Sequence, residues 1–163
     1  MQGRDCAREK LPAPELLRHP RLRVIFLARN PAPALESLLD LSKKYYNDRW
    51  TPEMAVDYYV ERVTMLNTLR NQLSGMQTAA VLTYDELTEQ PEVSMNSLTT
   101  LLNLNPPLTS SYAPIEGSGF RGDPGEKIQL GVIQRSDREL TGRISGDLLD
   151  RANAAYKAYR ELS

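Results

Sequence analysis

The 163-residue chain has one cysteine, Cys6, and one histidine, His19. A single cysteine supports neither a disulfide framework nor a cysteine metal cluster. A single histidine, set in the polar segment Leu17-Arg-His-Pro-Arg21, excludes a histidine-based zinc site and a paired-histidine mechanism, so no metal is expected. Excess charge of one sign is also missing. Twenty basic and 21 acidic residues leave a formal net charge of −1, so nothing global draws nucleic acid or an anionic membrane, and any anion site must be local. No apolar run approaches membrane-spanning length, and Met1-Gln-Gly-Arg-Asp5 offers no apolar signal core. The expected compartment is the cytoplasm. No G-x-x-x-x-G-K-[ST] loop occurs, which excludes a complete Walker-type nucleotidase. What remains is 40% apolar and 25% charged, the composition of one ordinary domain over residues 1–163, long enough to bury a core.

Within that chain, Val24 to Ala28 is a continuous apolar run bounded by Arg23 and Arg29. Its length and composition predict a strand buried on both faces. Arg29-Asn30-Pro31 follows, and a helical pattern begins at once, with Pro31 suited to a first turn. An arginine where a strand hands over to a helix N-terminus is a candidate anion site, because guanidinium, free N–H groups and helix dipole act together. An arginine capping the sheet edge through a local salt bridge fits the local pattern equally well.

Ala34, Leu35, Leu38, Leu39 and Leu41 form the stripe of the first helix. Thr51-Pro52-Glu53 opens a second, with Val56, Tyr59, Val60, Val63, Leu66, Leu69 and Leu73 on one face and a stop at Ser74-Gly75. Ala79 to Tyr84 is the second expected strand. A short helix follows Gln90-Pro91, then a long Pro- and Gly-rich loop over 105–124, of a length that is usually functional or mobile. An amphipathic helix after Ser145-Gly-Asp147 closes the chain. Strands separated by helices predict an α/β fold, a parallel sheet flanked by helices. Gly117-Ser-Gly-Phe-Arg-Gly122 spells G-x-G-x-x-G, but neither a strand before it nor a helix after it supports a dinucleotide fingerprint. Most tyrosines fall on helical spacings and read as packing residues.

Four pieces stand in a fixed order: Glu9-Lys10-Leu11-Pro12, Arg29-Asn30-Pro31 through Ser37, Tyr84-Asp85-Glu86-Leu87, and Gly122-Asp123-Pro124. Together they resemble the sulfotransferase family that uses 3′-phosphoadenosine 5′-phosphosulfate. That family has an E-K-x-P-like segment, a strand ending R-[DN]-P with a serine eight positions after the arginine, a Y-E-D-L-like strand end and a late glycine-containing nucleotide loop. The resemblance implies that Arg29 and Ser37 hold the 3′-phosphate of the donor. It places Tyr84 near the adenine, and Phe120, Arg121 and Gly122 in the loop that closes over the nucleotide. Lys10 would lie near the transferred group, with Glu9 as the nearest candidate base.

The family's other phosphate site, a Gly-, Ser- and Thr-rich strand–loop–helix that cradles the 5′-phosphosulfate, precedes the E-K-x-P segment. Here only Met1 to Arg8 stand there. The resemblance thus implies a partial P-loop-like sulfotransferase fold, N-terminally incomplete relative to the family. The implied function is sulfuryl transfer from 3′-phosphoadenosine 5′-phosphosulfate to a hydroxyl or amine on a small-molecule, glycan or peptide acceptor. A second copy or a complementing chain would be a partner. The alternative is a non-catalytic nucleotide-binding or protein-interaction module derived from the same fold.

Overall fold

The computed structural model describes residues 19, 22–45, 47–73, 79–113, 130–135 and 141–161. Two parallel strands organise it. Strand β1 (Val24–Ala28) pairs with β2 (Ala79–Thr83), Val24 opposite Ala79 and Ala28 opposite Thr83. Parallel neighbours need a long crossover, and helices α1 (Pro31–Tyr45) and α2 (Pro52–Gln72) supply it. Beyond β2 come α3 (Tyr84–Glu89), α4 (Pro91–Leu101) and the closing helix α5 (Gly146–Glu161).

The local chemistry explains each start. Pro31 opens α1 where its missing N–H is not needed. The Thr51 hydroxyl caps α2 by accepting from the Met54 N–H at 3.3 Å, with Pro52 and Glu53 in the first turn. Helices α2 and α5 pack on each other and, with α1, on one face of the sheet. Phe26, Ala28, Leu35, Leu39, Val56, Tyr59, Val63, Ala152, Tyr156 and Tyr159 form that core. Full burial of each large side chain contributes about 1.5–3 kcal/mol. Tyr59, Tyr156 and Tyr159 are packing residues, as their spacing predicted.

Tyr159 does more than fill space. Its hydroxyl donates to the Phe26 carbonyl at 2.8 Å and lies 3.3 Å from the Leu82 carbonyl, tying α5 to both strands. The buried Arg70 donates to the Tyr159 carbonyl at 2.9 Å and stacks over its ring at 5.5 Å, which joins α2 to the last turn of α5.

The sheet differs from expectation in one respect. Burial alternates along β1: Phe26 and Ala28 are enclosed, whereas Ile25 and Leu27 are 45% and 43% exposed. A second, smaller cluster of Ala80, Met95, Leu98 and Leu102 covers the β2 side of that face. Among the described residues no element lies over the β1 side, so the strand is buried on one face and not on both. Part of the long loop is held in place: Ser111 bridges Val132, with Tyr112 N–H donating to the Gly131 carbonyl at 2.7 Å. Among the described residues no helix is long and apolar enough to cross a membrane.

Candidate functional site

The carboxyl ends of β1 and β2 lie side by side, because the register sets Ala28 against Thr83. A crevice beyond the carboxyl ends of parallel strands is where open α/β sheets bind ligands. Arg29 and Asn30 follow β1 there and lead directly into α1. The Asn30 side chain accepts from the Ala32 N–H at 3.2 Å, and its carbonyl accepts from the Ala34 N–H at 3.3 Å. No acidic residue occupies the first turn of α1, so no carboxylate of that turn competes with an external anion.

Arg29 is fixed from two sides. Its carbonyl accepts the Tyr59 hydroxyl at 2.6 Å, and its guanidinium carbon lies 4.5 Å from the centroid of the Tyr84 ring. Its Nε is buried and has no hydrogen-bond partner. A desolvated guanidinium N–H without an acceptor is costly, and a bound anion would relieve that cost.

Tyr84 is held by its own helix. It is the first residue of α3, not the last of a strand, and Thr83 and Glu86 form a capping box there. The Thr83 hydroxyl accepts from the Glu86 N–H at 3.2 Å, while Glu86 Oε2 accepts from the Thr83 N–H at 2.7 Å. The ring thereby presents its face to the Arg29 guanidinium, a direct contact the sequence pattern did not foresee.

Ser37 sits half-buried on α1, beside Glu36. Among the described residues no hydrogen bond joins it to Arg29. Its neighbour anchors the helix. Glu36 is 3% exposed, and its carboxylate accepts from the Thr141 N–H at 3.2 Å, the Thr141 hydroxyl at 2.7 Å and Arg143 Nε at 2.7 Å. Arg143 also bonds Asp40 at 2.8 Å. Burial pushes the Glu36 carboxyl up, but hydrogen bonds from Thr141 and Arg143, with the Arg143 charge, outweigh it and hold the group below the usual carboxylate range.

Of the residues expected at the site, the structure brings Arg29 and Tyr84 together and sets Ser37 on the adjoining helix. Glu9, Lys10, Phe120, Arg121 and Gly122 lie outside the described residues. Sequence reasoning missed Tyr59 and Glu36. Tyr59 read only as a packing position, and Glu36 carried no local signal beyond an acid beside the apolar Leu35. Among the described residues no group of three or more His, Cys, Asp or Glu side chains could hold a metal ion. No family model matches the chain, and no curated protein or solved structure matches it either.

Proposed function

We propose that the chain is a sulfotransferase-like protein, in the cytoplasm, in which Arg29 and Ser37 hold the 3′-phosphate of 3′-phosphoadenosine 5′-phosphosulfate. One observation carries the reading. The Arg29 guanidinium, with a buried and unpartnered Nε, stands against Tyr84 where a parallel strand enters a helix N-terminus. A guanidinium grips a phosphate dianion in two places, and Ser37 adds a donor without further charge. The first turn of α1 adds its dipole but no free N–H, since Pro31 and Pro33 have none and Ala32 and Ala34 donate to Asn30.

In the reaction the acceptor oxygen or nitrogen attacks sulfur in line. The new bond to sulfur forms as the S–O bond to the 5′-phosphate breaks, releasing adenosine 3′,5′-bisphosphate. The acceptor proton passes to a base, for which Glu9 is the candidate, and Lys10 would offset charge at the transferred group. Positioning and cations around the leaving phosphate supply most of the acceleration in such transfers. Phe120, Arg121 and Gly122 complete the nucleotide side in this reading.

The second reading, a non-catalytic nucleotide-binding or interaction module, is favoured by the uncovered side chains of Ile25 and Leu27, an apolar sheet surface of the kind that marks an interface.

Thermal melting with adenosine 3′,5′-bisphosphate tests the site. Ligand at about 100 times its Kd stabilises by about 2.7 kcal/mol. For a chain of this size that raises the midpoint by roughly 5–10 °C. Arg29→Ala removes the shift. An unmoved native midpoint at millimolar ligand would overturn the proposal, and a shift that persists in Arg29→Ala would place the nucleotide elsewhere.

A further inference from the structure

The outer edge of β2 borders a groove of about 480 Å³ that the nucleotide reading leaves unused. Ala80, Val81 and Leu82 all reach it. Successive strand residues point to opposite faces, so three in a row can line one groove only where it runs along the backbone edge. Among the described residues that edge is unpaired, because the sheet is β1 and β2 alone. The opposite wall is one stripe of α4, with Val93, Ser97 and Leu101 spaced at four-residue steps. Val93 and Leu101 are 59% and 54% exposed, although an ordinary amphipathic helix would turn such residues inward. Ser97, small and exposed between them, leaves room above the Ala80 and Leu98 floor.

The groove is also polarised. Glu86 and Glu89 stand at the carboxyl end of β2. The chain already sets a guanidinium there, Arg135 on Glu89 at 2.5 Å, in an ion pair whose members are both half-exposed. A sheet edge beside a helix wall is the geometry of strand addition, in which main-chain hydrogen bonds give affinity and alternate side chains give selectivity.

We propose that this groove binds an extended peptide segment of a partner protein, added as a strand along β2, with alternate small apolar side chains against Val93, Leu98 and Leu101 and a lysine or arginine at Glu86 and Glu89. The inference is independent of the nucleotide at Arg29.

The probe is a fluorescent, end-blocked heptapeptide of three Val-Thr pairs with lysine at one end or the other, titrated into the whole protein by anisotropy. One of the two placements binds with a Kd on the order of 100 µM, since short strand additions are weak. Glutamate in place of the lysine weakens it about tenfold. N-methylation of alternate peptide amides, in the frame that faces β2, abolishes binding. Ser97→Trp, at an exposed position, fills the groove and abolishes it too, whereas Arg29→Ala leaves it intact. Absence of binding at about 1 mM, or indifference to N-methylation or to Ser97→Trp, would overturn the proposal. So would sedimentation showing a native dimer that Ser97→Trp dissociates, because a second copy would then be the occupant.

Discussion

Tyr59 shows how a core residue can act on the candidate site. Its ring belongs to the main core, while its hydroxyl donates to the Arg29 carbonyl at 2.6 Å. The group that projects the guanidinium is therefore pinned by a helix thirty positions away in sequence. Tyr59→Phe keeps the ring and removes the donor. An intramolecular hydrogen bond contributes about 1 kcal/mol net, so the unliganded protein should melt roughly 2–4 °C lower. If Tyr59 positions Arg29, affinity for adenosine 3′,5′-bisphosphate falls as well, by about threefold to tenfold, which calorimetric titration would measure. Lower stability with unchanged affinity would reduce Tyr59 to a packing residue. Arg29 itself was legible in the sequence, because a cation between an apolar run and a proline-started helix is a local pattern. Its contact with Tyr84 was not, because that contact is set by how β2 lies beside β1.

At the scale of elements, α3 is the unit on which the site most depends, and the sequence hid it. Thr83-Tyr-Asp-Glu86 is a capping box, but six residues hold less than two helical turns and show no apolar period. The apolar run before it carried the strand reading through Tyr84. Thr83→Ala removes the cap and should cost about 1 kcal/mol, whereas Thr83→Ser retains most of that stability, as denaturant unfolding would report. Equal losses in the two variants would rule out the hydroxyl as the cause. Helix α2 was legible for the opposite reason: Thr51, Pro52 and Glu53 are all local signals. The two-sided burial expected of β1 failed because an apolar run shows what a strand tolerates, not how many layers cover it. The anchoring of α1 was equally hidden, since Glu36 meets its partners 105 and 107 positions away. That anchor makes a prediction about acid. The Glu36 carboxyl is depressed in the folded chain, so its contribution to stability is complete above the usual carboxylate range and is lost as pH falls through the folded value. Hydrogen exchange at the Thr141 amide, which donates to Glu36, reads this directly. Below about pH 4 its protection should fall ahead of that in α5, and Glu36→Gln should flatten this early loss. Identical pH profiles in native protein and variant would remove Glu36 as the titrating group.

For the molecule as a whole, the telling feature is that three phenols stand where three helices and both strands converge. Burial pushes the Tyr59 hydroxyl well up, with the neighbouring Tyr156 and Tyr159 adding to it. Burial raises Tyr156 likewise, with Asp85 contributing. Tyr159 is pushed up to about 12, again chiefly by burial, against a lowering from the Arg70 guanidinium. An unfolded tyrosine titrates near pH 10. Below that value both states carry the phenolic proton and the stabilisation is complete. Between about 10 and 12 the unfolded chain has released the proton that folding requires Tyr159 to keep, so stability declines with each increment of pH. Ionising Tyr159 also removes the proton it donates to the Phe26 carbonyl, loosening α5 from the sheet. The denaturant midpoint should therefore fall steeply from about pH 10, with strands and helices lost in one transition, because the phenols sit in the core they share. In Tyr159→Phe the protein starts less stable, by about 1–3 kcal/mol for the Phe26 carbonyl left without its donor, but its decline above pH 10 is shallower. A midpoint that stays level from pH 9 to about 11.5, or one that falls as steeply in Tyr159→Phe as in the native chain, would show that these phenols do not control the stability of the fold.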